Sequence, residues 1–322
     1  MVDLIESVKA GSLQALAKLL TRLEREGPRA FEAAPELLNP QHQAFRIGIT
    51  GPPGAGKSTL IARLIREFRD RNHKVGVLAV DPSSPFSKGA VLGDRIRYAD
   101  HFNDPGVFIR SLGSRGSLGG LSSSTYLMVR AFDLAGIDTV LIETVGVGQT
   151  ELEIMNVADQ VAVVLVPESG DAIQGMKAGL LEIADCFLVN KGDRPGAEAF
   201  ASELRGSLQL SMQHSMQHSM RQSMQQSMQQ AEHASEHAGT VRIFMTTATT
   251  GQGIREFVDD LEQSRATTDE KGQLIWQALR NSAQRLRSEA VALLRNQAER
   301  DILMRVQSIQ NREDFAALLK LR

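Results

Sequence analysis

From about residue 45 onward, short continuous apolar runs alternate with longer amphipathic stretches. The runs are FRIGIT (45–50), KVGVLAV (74–80), VFIRSL (107–112), TVLIET (139–144), QVAVVLV (160–166), CFLVN (186–190) and VRIFMT (241–246). Such runs, rich in β-branched residues and without strict alternation, predict strands covered on both faces. The helical-length segments between them predict crossovers. The fold class is therefore α/β: a mostly parallel, doubly wound sheet with helices on both sides. Ahead of the first run, Leu4, Ile5, Val8, Leu13, Leu16, Leu19, Leu20 and Leu23 recur near helical spacing. They predict a helical N-terminal extension over 1–42, punctuated by Gly27-Pro28, Pro35 and Pro40.

The later part of the chain has a different texture. All prolines lie at or before Pro195, which suits long helices beyond it. Trp276, Leu279, Ala283, Leu286, Ala290 and Leu293 step by three or four residues, the spacing of a helix seam. A seam of that kind serves either packing on its own domain or a dimerisation arm. The expected organisation is an extension over 1–42, an α/β domain over 43–265 and a helical arm over 266–322. Within the domain, 211–238 form a low-complexity Met/Gln/Ser/His insert whose core reads SMQH SMQH SMRQ SMQQ SMQQ. Methionines four apart drift around a helix by about 40° each. They make no narrow stripe, and the insert reads as a solvated expansion, with a Met-rich partner-binding surface as the alternative.

Composition narrows the function classes. A chain of 322 residues with 42% hydrophobic and 23% charged residues can bury a large core. Lys plus Arg number 36 against 38 Asp plus Glu, a net charge of −2, which disfavours nucleic acid as a partner. The single cysteine, Cys186, excludes an intrachain disulfide framework and a four-thiolate metal site. No apolar run approaches the roughly 18 residues of a membrane span. The opening MVDLIESVKAGS has neither a basic export region nor an Arg/Ser-rich transit pattern, so a cytoplasmic location and no membrane partner are expected.

The chemistry-bearing residues cluster at the ends of the apolar runs. GPPGAGKS (51–58) satisfies G-x-x-x-x-G-K-[ST], with a strand before it and an amphipathic segment after it. Gly51, Gly54 and Gly56 permit a tight turn in which the amides of 51–59 (Gly51, Pro52, Pro53, Gly54, Ala55, Gly56, Lys57, Ser58, Thr59; the prolines lack one) surround a nucleotide's phosphates. Lys57 then reaches the β- and γ-phosphates and the Ser58 hydroxyl ligates Mg²⁺. In ETVG, Glu143 ends a strand and Gly146 follows three residues later. The carboxylate is expected to hold the magnesium, and the Gly146 amide to face the γ-phosphate, so that the loop is released when that phosphate leaves.

NKGD (190–193) supplies base recognition. The Asp193 carboxylate can accept from guanine N1–H and the N2 amino group, whereas adenine offers an acceptor there. Lys191 can cover the base face and Asn190 can brace the loop. TTAT (246–249) is where a backbone contact from Thr247, Ala248 or Thr249 to guanine O6 is expected. Asp81 and Asp94 bracket the loop DPSSPFSKGAVLGD, a candidate switch that could order on Mg²⁺·GTP. Arg95, Arg97, Arg110 and Arg115 stand in candidate switch regions as potential arginine fingers. The pairs His214/His218 and His233/His237 have helical i,i+4 spacing, but no ligand cluster completes either as a metal site.

With these motifs in place, the chain resembles the MeaB/ArgK family of GTPases. The phrases that carry the resemblance are GITGPPGAGKSTL (48–60), VLAVDPSSPFSKGAVLGDRIR (77–97), VFIRSLGSRGSLGGLS (107–122), ETVGVGQTELE (143–153) and NKGD. It implies a P-loop GTPase of the SIMIBI class that uses GTP and Mg²⁺. It further implies a homodimer that chaperones a cobalamin-dependent acyl-CoA mutase and gates adenosylcobalamin delivery. By the same likeness Ser58, Asp81, Asp94 and Glu143 surround the metal. Lys57, Glu143 and Lys177 act in catalysis, with Lys177 signalling between nucleotide and mutase. NKGD in place of NKAD, TTAT in place of a Ser-Ala phrase, and the Met/Gln repeat depart from the pattern. Two other readings come from neighbouring classes: a kinase of an amino-acid transport system and a metal-insertion GTPase.

Overall fold

The computed structural model describes residues 2–26, 37, 42–81, 98–113, 123–144, 154, 157–169, 183–210 and 242–265. The insert, the arm beyond 265 and most of the candidate switch loops lie outside them. The chain divides into two compact units, Met1–Asp260 and Leu261–Arg322. Of the second, only 261–265 are described, and they are helical.

All seven apolar runs become strands: β1 (Phe45–Thr50), β2 (Val75–Asp81), β3 (Val107–Gly113), β4 (Thr139–Thr144), β5 (Gln160–Leu165), β6 (Cys186–Val189) and β7 (Arg242–Met245). They form one sheet in the order β3-β2-β4-β1-β5-β6-β7, and every pairing is parallel. A parallel sheet brings the carboxyl ends of all its strands to one edge. Central β1 therefore delivers residues 51–58 to that edge between β4 and β5, where Glu143 and Val166 emerge.

The N-terminal segment folds as two helices, α1 (Val2–Lys9) and α2 (Leu13–Glu26). Gly11 breaks them with φ +88°, and the Ser12 hydroxyl accepts from the Ala15 amide at 3.2 Å as an N-cap. The next helices are α3 (Lys57–Asp70) and α4 (Ser123–Leu134), followed by α5 over 197–210 and α6 over 254–265.

Alternation along the strands sorts the helices between the two faces. Leu78, Val80, Val140, Ile142, Val161 and Val163 join the buried cluster made by α1, α2, α4 and α5. Residues of opposite parity, Val77, Ala79, Leu141 and Glu143, turn to the face covered by α3. On α3, Lys57, Leu60, Ile61, Leu64, Ile65 and Phe68 are buried at i, i+3, i+4, i+7, i+8 and i+11, one continuous stripe. A buried Leu, Ile or Phe side chain is stabilised by about 1.5–3 kcal/mol over an exposed one, so the stripe holds α3 and its N-terminus firmly on the sheet.

Candidate functional site

The loop between β1 and α3 is shaped by close backbone approach. Gly51 has φ +137°, and a Cβ there would meet the Val164 carbonyl oxygen of β5 at 2.1 Å. Gly56, the N-cap of α3, has φ +88°, and a Cβ would meet Asn190 Nδ2 at 2.5 Å. Only glycine fits either position. Pro53 and Gly54 form the exposed crest, Pro52 is half-buried and Ala55 is buried beneath. Lys57 is 8% exposed, and its ammonium donates to the carbonyls of Gly51 (2.7 Å) and Pro52 (3.1 Å), curling over its own loop. An ammonium and the positive end of α3 thus belong to the same loop, the electrostatics an oligophosphate requires. Thr59 is exposed on the first turn.

Beside the loop, Ser58 Oγ donates to Glu143 Oε1 at 2.7 Å, joining α3 to the carboxyl end of β4. The second oxygen, Oε2, accepts from the Tyr98 hydroxyl. Glu143 is 6% exposed. One residue further on, the Thr144 hydroxyl donates to Thr50 Oγ1 at 2.9 Å, tying the ends of β4 and β1 on the opposite face. A hydroxyl and a carboxylate in contact beside a phosphate-type loop are hard oxygen donors. That donor set suits Mg²⁺, which takes one or two protein oxygens and completes its shell with water and phosphate. Among the described residues no group of three or more His, Cys, Asp or Glu side chains forms another metal site.

The NKGD segment follows β6 directly. Asn190 is 2% exposed, and its Nδ2 donates to the Ala55 carbonyl (2.8 Å), while its Oδ1 accepts from the Ala248 amide (3.0 Å) and the Thr246 hydroxyl (3.4 Å). It therefore braces the phosphate-type loop and the turn after β7 at once. Lys191 holds φ +58°, a conformation few non-glycine residues adopt, and the Gly192 amide donates to the Thr246 carbonyl at 2.9 Å. Asp193 is carried outward with its side chain exposed. In the turn after β7, the Thr247 amide goes to the Gln252 carbonyl and the Ala248 amide to Asn190. The Thr250 and Gly251 amides both return to the Thr247 carbonyl. Among the described residues the Thr249 amide donates to no protein acceptor. Of Thr247, Ala248 and Thr249, the first two are buried and Thr249 is exposed.

Two side chains that linear reading passed over brace these residues from outside the motifs. Arg63 of α3 donates to the carbonyls of Ala248 (3.0 Å) and Thr249, linking the helix after the phosphate-type loop to the base-side turn. Tyr98 supplies the second partner of Glu143. Neither lies in a motif, and their partners stand 185, 186 and 45 residues away, so no local signal marks them.

Asp81 is the last residue of β2, in register with Gly113 at the same sheet edge. Asp94, Gly146, Lys177, Arg95, Arg97 and Arg115 lie outside the described residues. Arg110 is a correction. It sits within β3 and its guanidinium donates to Glu24 of α2 at 2.6 Å, so it braces the N-terminal helices instead of standing as an arginine finger. Cys186 is wholly buried at the start of β6, where burial pushes its thiol up to about 12. Among the described residues it belongs to no cluster of three or more His, Cys, Asp or Glu side chains that could hold a metal ion.

The family model for the methylmalonyl-CoA mutase-associated GTPase MeaB matches residues 16–311. A Pyrococcus horikoshii protein named as a GTPase is 43% identical over 272 residues, covering 84% of this chain and 80% of that one. GTPase ArgK of Escherichia coli is 38% identical over 201 residues, 60% of each chain. In structure, the chain resembles an LAO/AO transport system kinase with TM-score 0.62 at 23% identity, covering 99% and 96% of the two chains. At that identity the likeness speaks to the fold.

Proposed function

The chain belongs to the MeaB family of methylmalonyl-CoA mutase-associated GTPases, and on that premise we propose that it is a GTP-hydrolysing chaperone of a cobalamin-dependent acyl-CoA mutase. The observation that carries this reading is one sheet edge on which the loop 51–58, Glu143 and the NKGD segment are joined by hydrogen bonds. Lys57, Ser58 and Glu143 meet around the phosphate-type loop, and Asn190 joins that loop to the outward-facing Asp193. Such a site favours guanine, because the Asp193 carboxylate matches two donors on that base and none at the same edge of adenine.

Hydrolysis is in-line attack of water on the γ-phosphorus, with the P–O bond to GDP breaking and free phosphate leaving. The Lys57 ammonium is placed to neutralise charge on the β- and γ-oxygens as it develops. Ser58 and Glu143 would hold Mg²⁺, which supplies further neutralisation of the phosphoryl oxygens; Asp81 and Asp94 are proposed as its outer partners. Gly146 and Lys177 are proposed to sense the γ-phosphate and to signal its loss to the mutase. Arg95, Arg97 and Arg115 of the candidate switch segments are the proposed sources of an arginine finger, and intrinsic turnover is proposed to be slow until a partner orders those segments. In the proposed cycle, a cytoplasmic homodimer gates adenosylcobalamin delivery to the mutase and protects or reactivates it.

The test is GTP turnover by the purified chain with and without a cobalamin-dependent acyl-CoA mutase from the same source. We expect a clear rise in kcat with the mutase present. Equal rates in the two conditions would sink the coupling, and label passing from γ-labelled GTP to a protein acceptor would point to a kinase.

A further inference from the structure

Glu143 is held from two sides, and only one of them belongs to a recognised motif. Its Oε1 accepts from Ser58, the second residue of α3, and its Oε2 accepts from Tyr98. Tyr98 is 1% exposed, so its hydroxyl is desolvated as fully as the carboxylate it serves. It stands four residues after Asp94, where the chain returns from the candidate switch segment.

A short turn immediately after Tyr98 fixes it in place. The His101 amide donates to the Tyr98 carbonyl at 3.0 Å, closing a 3₁₀ turn over Ala99–His101. The His101 ring lies 8% exposed with Nε2 3.1 Å from the Ala62 carbonyl of α3. A carbonyl only accepts, so Nε2 carries the proton. Ala62 is one helical turn beyond Ser58 on the same helix. The contacts therefore form a closed ring: Ser58 to Glu143, Glu143 to Tyr98, Tyr98 through its turn to His101, His101 to Ala62, and along α3 back to Ser58.

We infer that Tyr98 is a positioning residue for the magnesium-side carboxylate, locking Glu143 so that its other oxygen stays aligned with the Ser58 hydroxyl. A lone carboxylate on a strand end has rotamer freedom, and an acid that must meet a small octahedral cation performs better with that freedom removed. A buried hydrogen bond to a charged group is among the stronger neutral-donor interactions, so its loss is measurable. The ring also ties the end of the candidate switch segment to the metal-side acid. Binding at that acid would thereby be felt at residue 98. This role rests on the reading of the cleft as a magnesium-nucleotide site.

Tyr98→Phe removes the hydroxyl and keeps the ring that fills the core. The measurement is the release rate of a fluorescent GDP analogue as Mg²⁺ is titrated, alongside the tyrosine ultraviolet difference spectrum on adding Mg²⁺ to the GDP-bound protein. In Tyr98→Phe we expect the Mg²⁺ concentration for half-maximal slowing of release to rise about tenfold. Release in the absence of Mg²⁺ should be unchanged. The unaltered protein should show a magnesium-dependent tyrosine difference signal that the variant lacks. Identical Mg²⁺ titrations in the two proteins would overturn the role of Tyr98 while leaving the site reading intact. If the unaltered protein retained GDP equally with and without Mg²⁺, the site reading would fail and this role with it.

Discussion

At the residue scale, the division of labour follows from how each side chain is exposed. Lys57 and Glu143 are buried where charge is strengthened by low dielectric, and each is stabilised by direct hydrogen bonds with neutral partners. Asp193 is exposed, as a group must be if its partner arrives from solution. If Asp193 reads guanine through two charge-assisted hydrogen bonds at about 1.5–3 kcal/mol each, Asp193→Asn should weaken GTP binding by about 10²–10⁴-fold. The asparagine amide can instead donate to the C2 carbonyl of xanthine, so xanthosine triphosphate should gain affinity in the same variant. Calorimetry with both nucleotides checks this. A variant that kept its preference for GTP would remove Asp193 from base recognition. The motif residues were legible in the sequence because each has a fixed neighbour: Lys57 after Gly56, Asp193 after Asn190. Tyr98 was not, because its meaning lies in a contact with Glu143 made 45 residues further along.

The element that organises the site is α3. Its N-terminus carries Lys57 and Ser58, its second turn carries Ala62 and Arg63, and its buried stripe fixes all four against the sheet. Through Arg63 it also holds the turn after β7, and through Ala55 and Asn190 the same turn is tied back to the phosphate-type loop. The phosphate-type loop and the turn after β7 are thus braced to each other by two routes. Arg63→Ala should loosen the base-side turn and leave the phosphate loop in place. The Thr249 carbonyl is partly solvated, so the discounted loss is on the order of 1 kcal/mol, about fivefold in GTP affinity. Binding of magnesium tripolyphosphate, which has no base, should be unchanged. A parallel loss for both ligands would show that Arg63 supports the whole site and has no special tie to the base. The helix was evident from its apolar spacing, whereas Arg63 was one of several arginines on it with no pattern to single it out. The N-terminal segment shows the converse. Its leucines gave the right helical period, but the break at Gly11 emerges only with the left-handed backbone and the Ser12 cap.

For the molecule as a whole, strand identity was open to reading because burial on both faces leaves an unbroken apolar run. Strand order was not, since it depends on which side of β1 each crossover lands. That order places β6 between β5 and β7, with Cys186 in register with Ala162 and Arg242. The complete burial of the thiol is a product of the assembled sheet, and it makes a pH signature of folding. Burial is the main cause of its rise from 9.0 to about 12, with Asp185 and Asp260 adding to the rise and Arg242 opposing it. Between those values the folded protein keeps the thiol proton and the unfolded chain has lost it. The unfolded state then binds fewer protons, and stability must fall as pH rises through that window. Below about pH 9 the contribution is intact; above it the slope approaches about 1.4 kcal/mol per pH unit, or about 2 kcal/mol lost by pH 10.5. Lysines and tyrosines titrate in the same range, so the difference between two proteins isolates the thiol. Urea unfolding of the unaltered chain and of Cys186→Ala at pH 8 and pH 10.5 should show the alanine variant losing less stability, by about that amount. Equal losses in both would mean that the β5-β6-β7 side of the sheet opens to solvent before the rest of the molecule, leaving the thiol to ionise in a protein still largely folded.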